Sequence, residues 1–224
     1  MAELLQTDVP SARSLAELVY EGPRDVFGLQ DLALLRSAKA MADRNVAKGR
    51  IVQALEKLKE HGPNGESLQN EFDFARGPTG TGWMMPARSV EAEGLFVLGL
   101  QTEESNPTEA ADCYTEALAA NPHHADAHVN LGRLLHTRGK LREAEAHYVA
   151  ALIGRPKDAI ATFNLAVVLD DQGRIDEAIR HYTEAIELDP KNGDAYLNLA
   201  RLYERKGEKL AAIRHLKDAR KLMT

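Results

Sequence analysis

The chain reads as an all-α protein, a solenoid of about four helix-turn-helix repeats preceded by a small, mainly helical domain. Three observations predict this. A 34-residue pattern recurs over residues 125–158, 159–192 and 193–224, with a degenerate copy over 92–124. Apolar residues inside each copy follow helical spacing. Gly and Pro stand at matching places in the copies, where helices must turn and stop. Helices this short cannot bury an apolar face alone, so neighbouring copies must stack.

Residues 1–70 do not follow the period and are expected to form a separate domain. Gln30 and Asp31 open a helix in which Leu32, Leu35, Ala38 and Met41 recur at helical spacing. Asn45 marks its turn, because Asn tolerates left-handed backbone. Val46, Ile51, Leu55 and Leu58 line a second helix that closes at Gly62 and Pro63. The run VFGLQDLALLRSAKAMADRNVAKGRIVQALEKL over residues 26–58 resembles the later half of a MerR-type DNA-binding domain, with Phe27 as its aromatic wing residue. Residues 11–22 stand as the counterpart of the recognition helix in that family. The resemblance implies DNA contacts from Arg13, Arg24 and Arg36 and a bacterial transcription-regulation setting. It also leaves residues 47–58 compatible with a homodimer. Departures bear on DNA: the preceding helix shrinks to residues 2–5, and Glu17 and Glu21 sit where major-groove readers offer Arg, Lys, Asn or Gln. Residues 36–59 are locally basic all the same.

Residues 71–91 join the two parts as a Gly/Pro-rich linker or small hairpin, with Phe72, Phe74 and Trp83 as anchors. Its glycines suggest a phosphate loop, but no Lys-Ser or Lys-Thr follows them.

In the repeats, Leu131, Leu134 and Leu135 form the stripe of a first helix, and Ala144, Tyr148, Ala151 and Leu152 that of a second. Small residues at Gly132 and Ala144, Ala166 and Ala178, and Ala200 and Ala212 allow close helix approach, with axes about 8–10 Å apart. Gly139, Gly173 and Gly207 suit a left-handed turn after the first helix, and Pro122, Pro156 and Pro190 stop the second. In the first copy, Ser105, Asn106 and Pro107 replace the glycine turn. The pattern resembles the tetratricopeptide repeat, whose role is binding other proteins. Arg220, where earlier copies have Leu118, Leu152 and Ile186, is expected to give the stack a polar end and mark the chain as complete there.

Two columns follow from the period. Asn130, Asn164 and Asn198 stand mid-helix, where Asn is a poor helix former. The resemblance places them in the concave groove, gripping the backbone of an extended peptide, since an amide donates and accepts at once. Val129, Phe163 and Leu197 would add apolar contact, and Arg133 and Arg201 a preference for acidic or C-terminal carboxylate groups. The full carboxylate clamp of chaperone-binding repeats is missing, since Val97 and Val167 stand at two of its polar places. An alternative is that the Asn side chains bond only within the stack. The other column, His147, His181 and His215 with Cys113, resembles a metal ladder but is spaced a helix pair apart, far beyond the ~2 Å of a metal bond. Repeat inheritance explains it better. His123, His124 and His128 read as a loop followed by a packing histidine.

A net charge of -6 argues against a general nucleic-acid binder. One cysteine and no signal-like N-terminus point to a reducing, cytoplasmic setting. The longest apolar run, residues 94–100, falls short of the ~20 residues of a membrane helix, so no membrane partner is expected. No catalytic constellation, cofactor motif or metal motif is evident. The reading is a non-enzymatic protein-protein interaction adaptor or scaffold that binds a peptide segment. The alternative is a DNA-binding MerR-like regulator whose repeats sense or recruit a partner.

Overall fold

The computed structural model describes Ser14, residues 29–61 and residues 87–222, with side chains over 34–57 and 91–222. Arg13, Arg24, Phe27 and residues 71–86 of the linker lie outside the described residues. Ten helices are described: α1 (Leu29–Asp43), α2 (Lys48–His61), α3 (Ala87–Thr102), α4 (Pro107–Ala120), α5 (Ala125–Thr137), α6 (Leu141–Gly154), α7 (Ala159–Asp171), α8 (Ile175–Leu188), α9 (Gly193–Arg205) and α10 (Lys209–Leu222). They form helix-turn-helix pairs in a tetratricopeptide-like arrangement. The chain divides into two compact units, Met1–Pro122 and His123–Thr224.

In the first unit, α1 and α2 are joined at Asn45, whose φ of 57° is the left-handed conformation expected of it. Leu34, Leu35, Ala38 and Met41 of α1 meet Ile51, Ala54 and Leu55 of α2 in one core. That core also takes in Val97, Leu98 and Cys113, so the hairpin set apart by the sequence shares its interior with α3 and α4. The reason is steric. A Cβ on Gly94 would fall 2.7 Å from Ser37 Cβ, so this glycine lets α1 and α3 approach closely. Arg44 pairs with Glu116 and also points at Cys113 Sγ, 3.7 Å away, while Arg50 reaches Glu109 at 3.4 Å. At the α3–α4 turn, Thr102 Oγ1 donates to Leu98 O at 2.8 Å. Asn106 then caps α4, accepting from the Glu109 amide, with Pro107 beginning the helix.

The second unit is made of three pairs. Each first helix starts on a residue one period from the last: His124, Asp158 and Asn192 accept from the backbone N–H of Ala127, Ala161 and Ala195. Each ends on a glycine in left-handed conformation, with φ of 73°, 75° and 77° at Gly139, Gly173 and Gly207. Tyr148 and Tyr182 are fully buried between helices. Tyr148 needs the glycine opposite it, since a Cβ on Gly132 would lie 2.8 Å from its ring. Polar pairs tie successive repeats together. Arg174 reaches Glu145 at 2.6 Å, Gln172 donates to the same carboxylate at 2.8 Å, and Lys206 reaches Asp176 at 2.7 Å. Burial alone would raise the Glu145 carboxyl, but the hydrogen bonds from Gln172 and Arg174 hold it below the usual range.

The histidine column is divided among the repeats. His147 Nδ1 lies 2.9 Å from Nδ1 of His128, the histidine expected to pack, so one ring nitrogen donates and the other accepts. His181 lies 3.3 Å from Glu184, and His215 stacks on Tyr203 with ring centroids 5.5 Å apart. Among the described residues, no three His, Cys, Asp or Glu side chains gather as metal ligands. The polar end expected of α10 is met by Arg220, which is exposed, but not by the helix as a whole. Leu210, Ile213, Leu216 and Leu222 are also exposed, because no described helix covers that side.

Gly132→Ala is expected to destabilise the fold by about 1–3 kcal/mol, the usual cost of overpacking a close contact, and thermal unfolding checks it. Burial, reinforced by His128, lowers the pKa of His147 below 6.5, and Glu143 opposes this only in part. Burial lowers His215 too, aided by Arg214 and opposed by Asp218. A histidine held neutral in the fold contributes stability that is complete above 6.5 and is lost as pH falls through its lowered folded pKa, because the unfolded chain then takes up the proton more readily. The melting temperature is therefore expected to fall with acidification below that value. His147→Phe, which keeps a ring but cannot titrate, should flatten the dependence.

Candidate protein-binding groove

The candidate site is the face presented by the first helices α5, α7 and α9 of the second unit. The period sets Asn130, Asn164 and Asn198 at the same turn of the three helices, and all three are half-buried. Val129 is buried beside the first, while Phe163 and Leu197 are half-buried beside the others. Arg133 and Arg201 stand exposed three residues further on, and Val167 takes the equivalent place on α7.

Asn198 is held by its surroundings. Arg201 Nη1 donates to Asn198 Oδ1 at 3.3 Å, and the Asn198 side chain also hydrogen-bonds the Tyr182 hydroxyl. Tyr182 threads from α8 to this face, its ring centroid 5.8 Å from that of Phe163. Burial and the nearby Asp170 push its phenol well above the ordinary value, while Asn198 and Arg201 pull it back. Tyr148 stands in a similar relation to Arg133. Burial pushes its hydroxyl up to about 12, and the Arg133 charge opposes that rise.

Acidic side chains on the same face are tied across repeats. His136 Nε2 lies 2.6 Å from Asp171, and Arg205 Nη1 lies 2.5 Å from Asp170, each pair 35 residues apart. Within a single repeat, at the start of α5, Asp126 meets Arg155 at 2.5 Å. Neither this layer nor the tyrosine tips follows from the helical spacing within one repeat. A signal was present for two of these pairs: His136 and Asp171, and Asp170 and Arg205, stand one period plus one residue apart. Chemically, the face offers amides that donate and accept, two exposed guanidiniums, and an aromatic-aliphatic strip. Cys113 lies in the other unit and is buried, and that burial pushes its thiol up. Val97 is likewise buried there. Arg36 lies half-buried on α1.

Family models of the tetratricopeptide repeat match residues 103–159, 168–207 and 193–222. No curated protein gives a match. Among solved structures, MamA AMB-1 is 26% identical, covering 58% of this chain and 78% of that one with a TM-score of 0.53. The MamA 41-end structure from Desulfovibrio magneticus RS-1 is 21% identical and covers 83% of this chain and 95% of that one, with a TM-score of 0.57. A further MamA structure is 20% identical, covers 76% and 94%, and has a TM-score of 0.58. Likenesses at this identity show fold alone, and the 83% coverage needs residues before Ala92, within the part that the sequence sets apart. With the 34-residue period, the capped and glycine-ended first helices and the matched families together, the chain is a tetratricopeptide repeat protein.

Proposed function

We propose that the protein is a non-enzymatic adaptor that holds an extended peptide segment of a partner protein against α5, α7 and α9. The observation that carries this reading is the column of Asn130, Asn164 and Asn198, half-buried amides one period apart on neighbouring first helices. An amide in that setting pairs with peptide N–H and C=O groups with little regard to side chains. Val129, Phe163 and Leu197 add apolar contact. Arg133 and Arg201 favour a segment that carries acidic side chains or a free C-terminal carboxylate. The engagement of Asp170 by Arg205 supports that preference by tempering negative charge along the groove. A reducing, cytoplasmic setting completes the proposal, resting on the single, buried thiol of Cys113.

Affinity capture from cells of the source organism with the full chain, followed by calorimetry with the captured partner's segment, tests the groove. Asn164→Ala is expected to weaken binding by about 1–2 kcal/mol while the melting temperature stays near that of the unaltered protein. Unchanged binding, or loss of the fold, would show the column to be structural.

DNA binding ranks below this, because Arg44 and Arg50, two cations of the basic 36–59 stretch, face Glu116 and Glu109 within the first unit. Lys39 pairs with Asp43 in the same way. Fluorescence anisotropy with duplex DNA is expected to give only salt-sensitive, non-specific affinity, about 10⁻⁴ to 10⁻⁶ M. A footprint at nanomolar protein would instead support the regulator reading.

A further inference from the structure

The last second helix, α10, gathers large exposed aliphatic side chains and positive charge on one side, where α6 exposes only Val149 and Ile153 of this kind and is net acidic. Helix α10 leaves large aliphatic side chains in solvent, with Leu210 84% exposed, Ile213 62% and Leu216 44%. In α8 the places of Leu210 and Leu216 hold Asp176, paired with Lys206, and the fully buried Tyr182. Charge also changes sign. Second helices α4, α6 and α8 each carry more acidic than basic residues, whereas α10 sets Lys209, Arg214, Lys217, Arg220 and Lys221 against Asp218 alone. Ala212 and Ala219 are buried against the repeat, so Leu210, Ile213, Lys217 and Arg220 face outward at helical spacing.

A following repeat is a poor fit for this face. Leu152 and Ile186, half-buried in α6 and α8, correspond to Arg220 in α10, and the charge that a following turn would pair with is replaced by Leu210. Two copies meeting α10 to α10 would bring like charges together. An aliphatic ridge calls for an apolar medium and the surrounding cations call for anions, and an anionic bilayer surface supplies both in one plane.

We propose that α10 is a peripheral docking surface for anionic lipid, lying flat with Leu210, Ile213 and Leu216 at the acyl boundary and its cations among the headgroups. The contact is interfacial, since no described helix is long and apolar enough to cross a membrane. It is independent of the groove, which α5, α7 and α9 provide.

Co-sedimentation of the full chain with phosphatidylcholine vesicles, with and without phosphatidylserine, tests it. Binding is expected only with phosphatidylserine, and it should weaken in salt. Lys217→Gln with Arg220→Gln should lower partitioning on the order of twentyfold, from the usual contribution of each cation at an anionic surface. Leu210→Ser with Ile213→Ser should lower it about tenfold. Both pairs are exposed, so melting temperatures should hold, and a variant that unfolds is replaced by Leu210→Ser alone. Equal binding to both vesicle types, absence of binding, or binding indifferent to both double variants would overturn the proposal. So would concentration-dependent self-association that Leu210→Ser abolishes, which would assign the face to a second copy.

Discussion

The contact on which the repeats depend is a tyrosine ring laid against a small residue of the partner helix. Tyr114, Tyr148 and Tyr182 are fully buried, and glycine stands opposite the first two because a Cβ on Gly99 or Gly132 would fall 2.5 or 2.8 Å from the ring. An aromatic side chain buries about 150–250 Å², so three of them dominate the pairing of short helices whose own propensity is marginal. The same contact also shapes the candidate site. With its ring held between helices, Tyr182 directs its hydroxyl to the first-helix face, where Asn198 and Arg201 meet it. In the last pair the corresponding places are Ala200 and Leu216, and the loss of the tyrosine coincides with the exposure of α10.

Stacking needs register as well as burial, and the polar pairs between repeats supply it. An exposed ion pair contributes about 0–1 kcal/mol, so no single bridge decides the fold. Their distribution matters more. Arg174, Gln172 and Glu145 form a part-buried network at the turns, while His136–Asp171 and Asp170–Arg205 run across the first helices. The first set joins neighbouring repeats at their turns. The second lies on the first helices that carry the Asn column.

The first unit shows how local charge misleads when read without its partners. Residues 36–59 look like a basic stripe, yet Arg44 and Arg50 turn toward α4, where Glu116 and Glu109 meet them. The Arg44 guanidinium is mostly covered and lies against the Cys113 thiol, in the core that α1 and α2 share with α3 and α4. These cations hold a helical hairpin to the pair that follows it in the chain.

Periodicity alone determined the glycine turns at 139, 173 and 207, the prolines beyond the second helices, and the buried stripes, because each is a local requirement written once per repeat. The left-handed turn at Asn45 was legible for the same reason, as a property of one residue's backbone. Contacts between repeats were not. That Asn198 bonds Tyr182, that His147 pairs with His128, and that Asp170 and Asp171 are tied to different neighbours depends on which side chains meet across helices. Only the tertiary structure decided that α1 and α2 share a core with α3 and that α10 ends with its aliphatic ridge uncovered. Burial belongs to the assembled surfaces, and the sequence pattern of a helix states which face is apolar without stating what covers it.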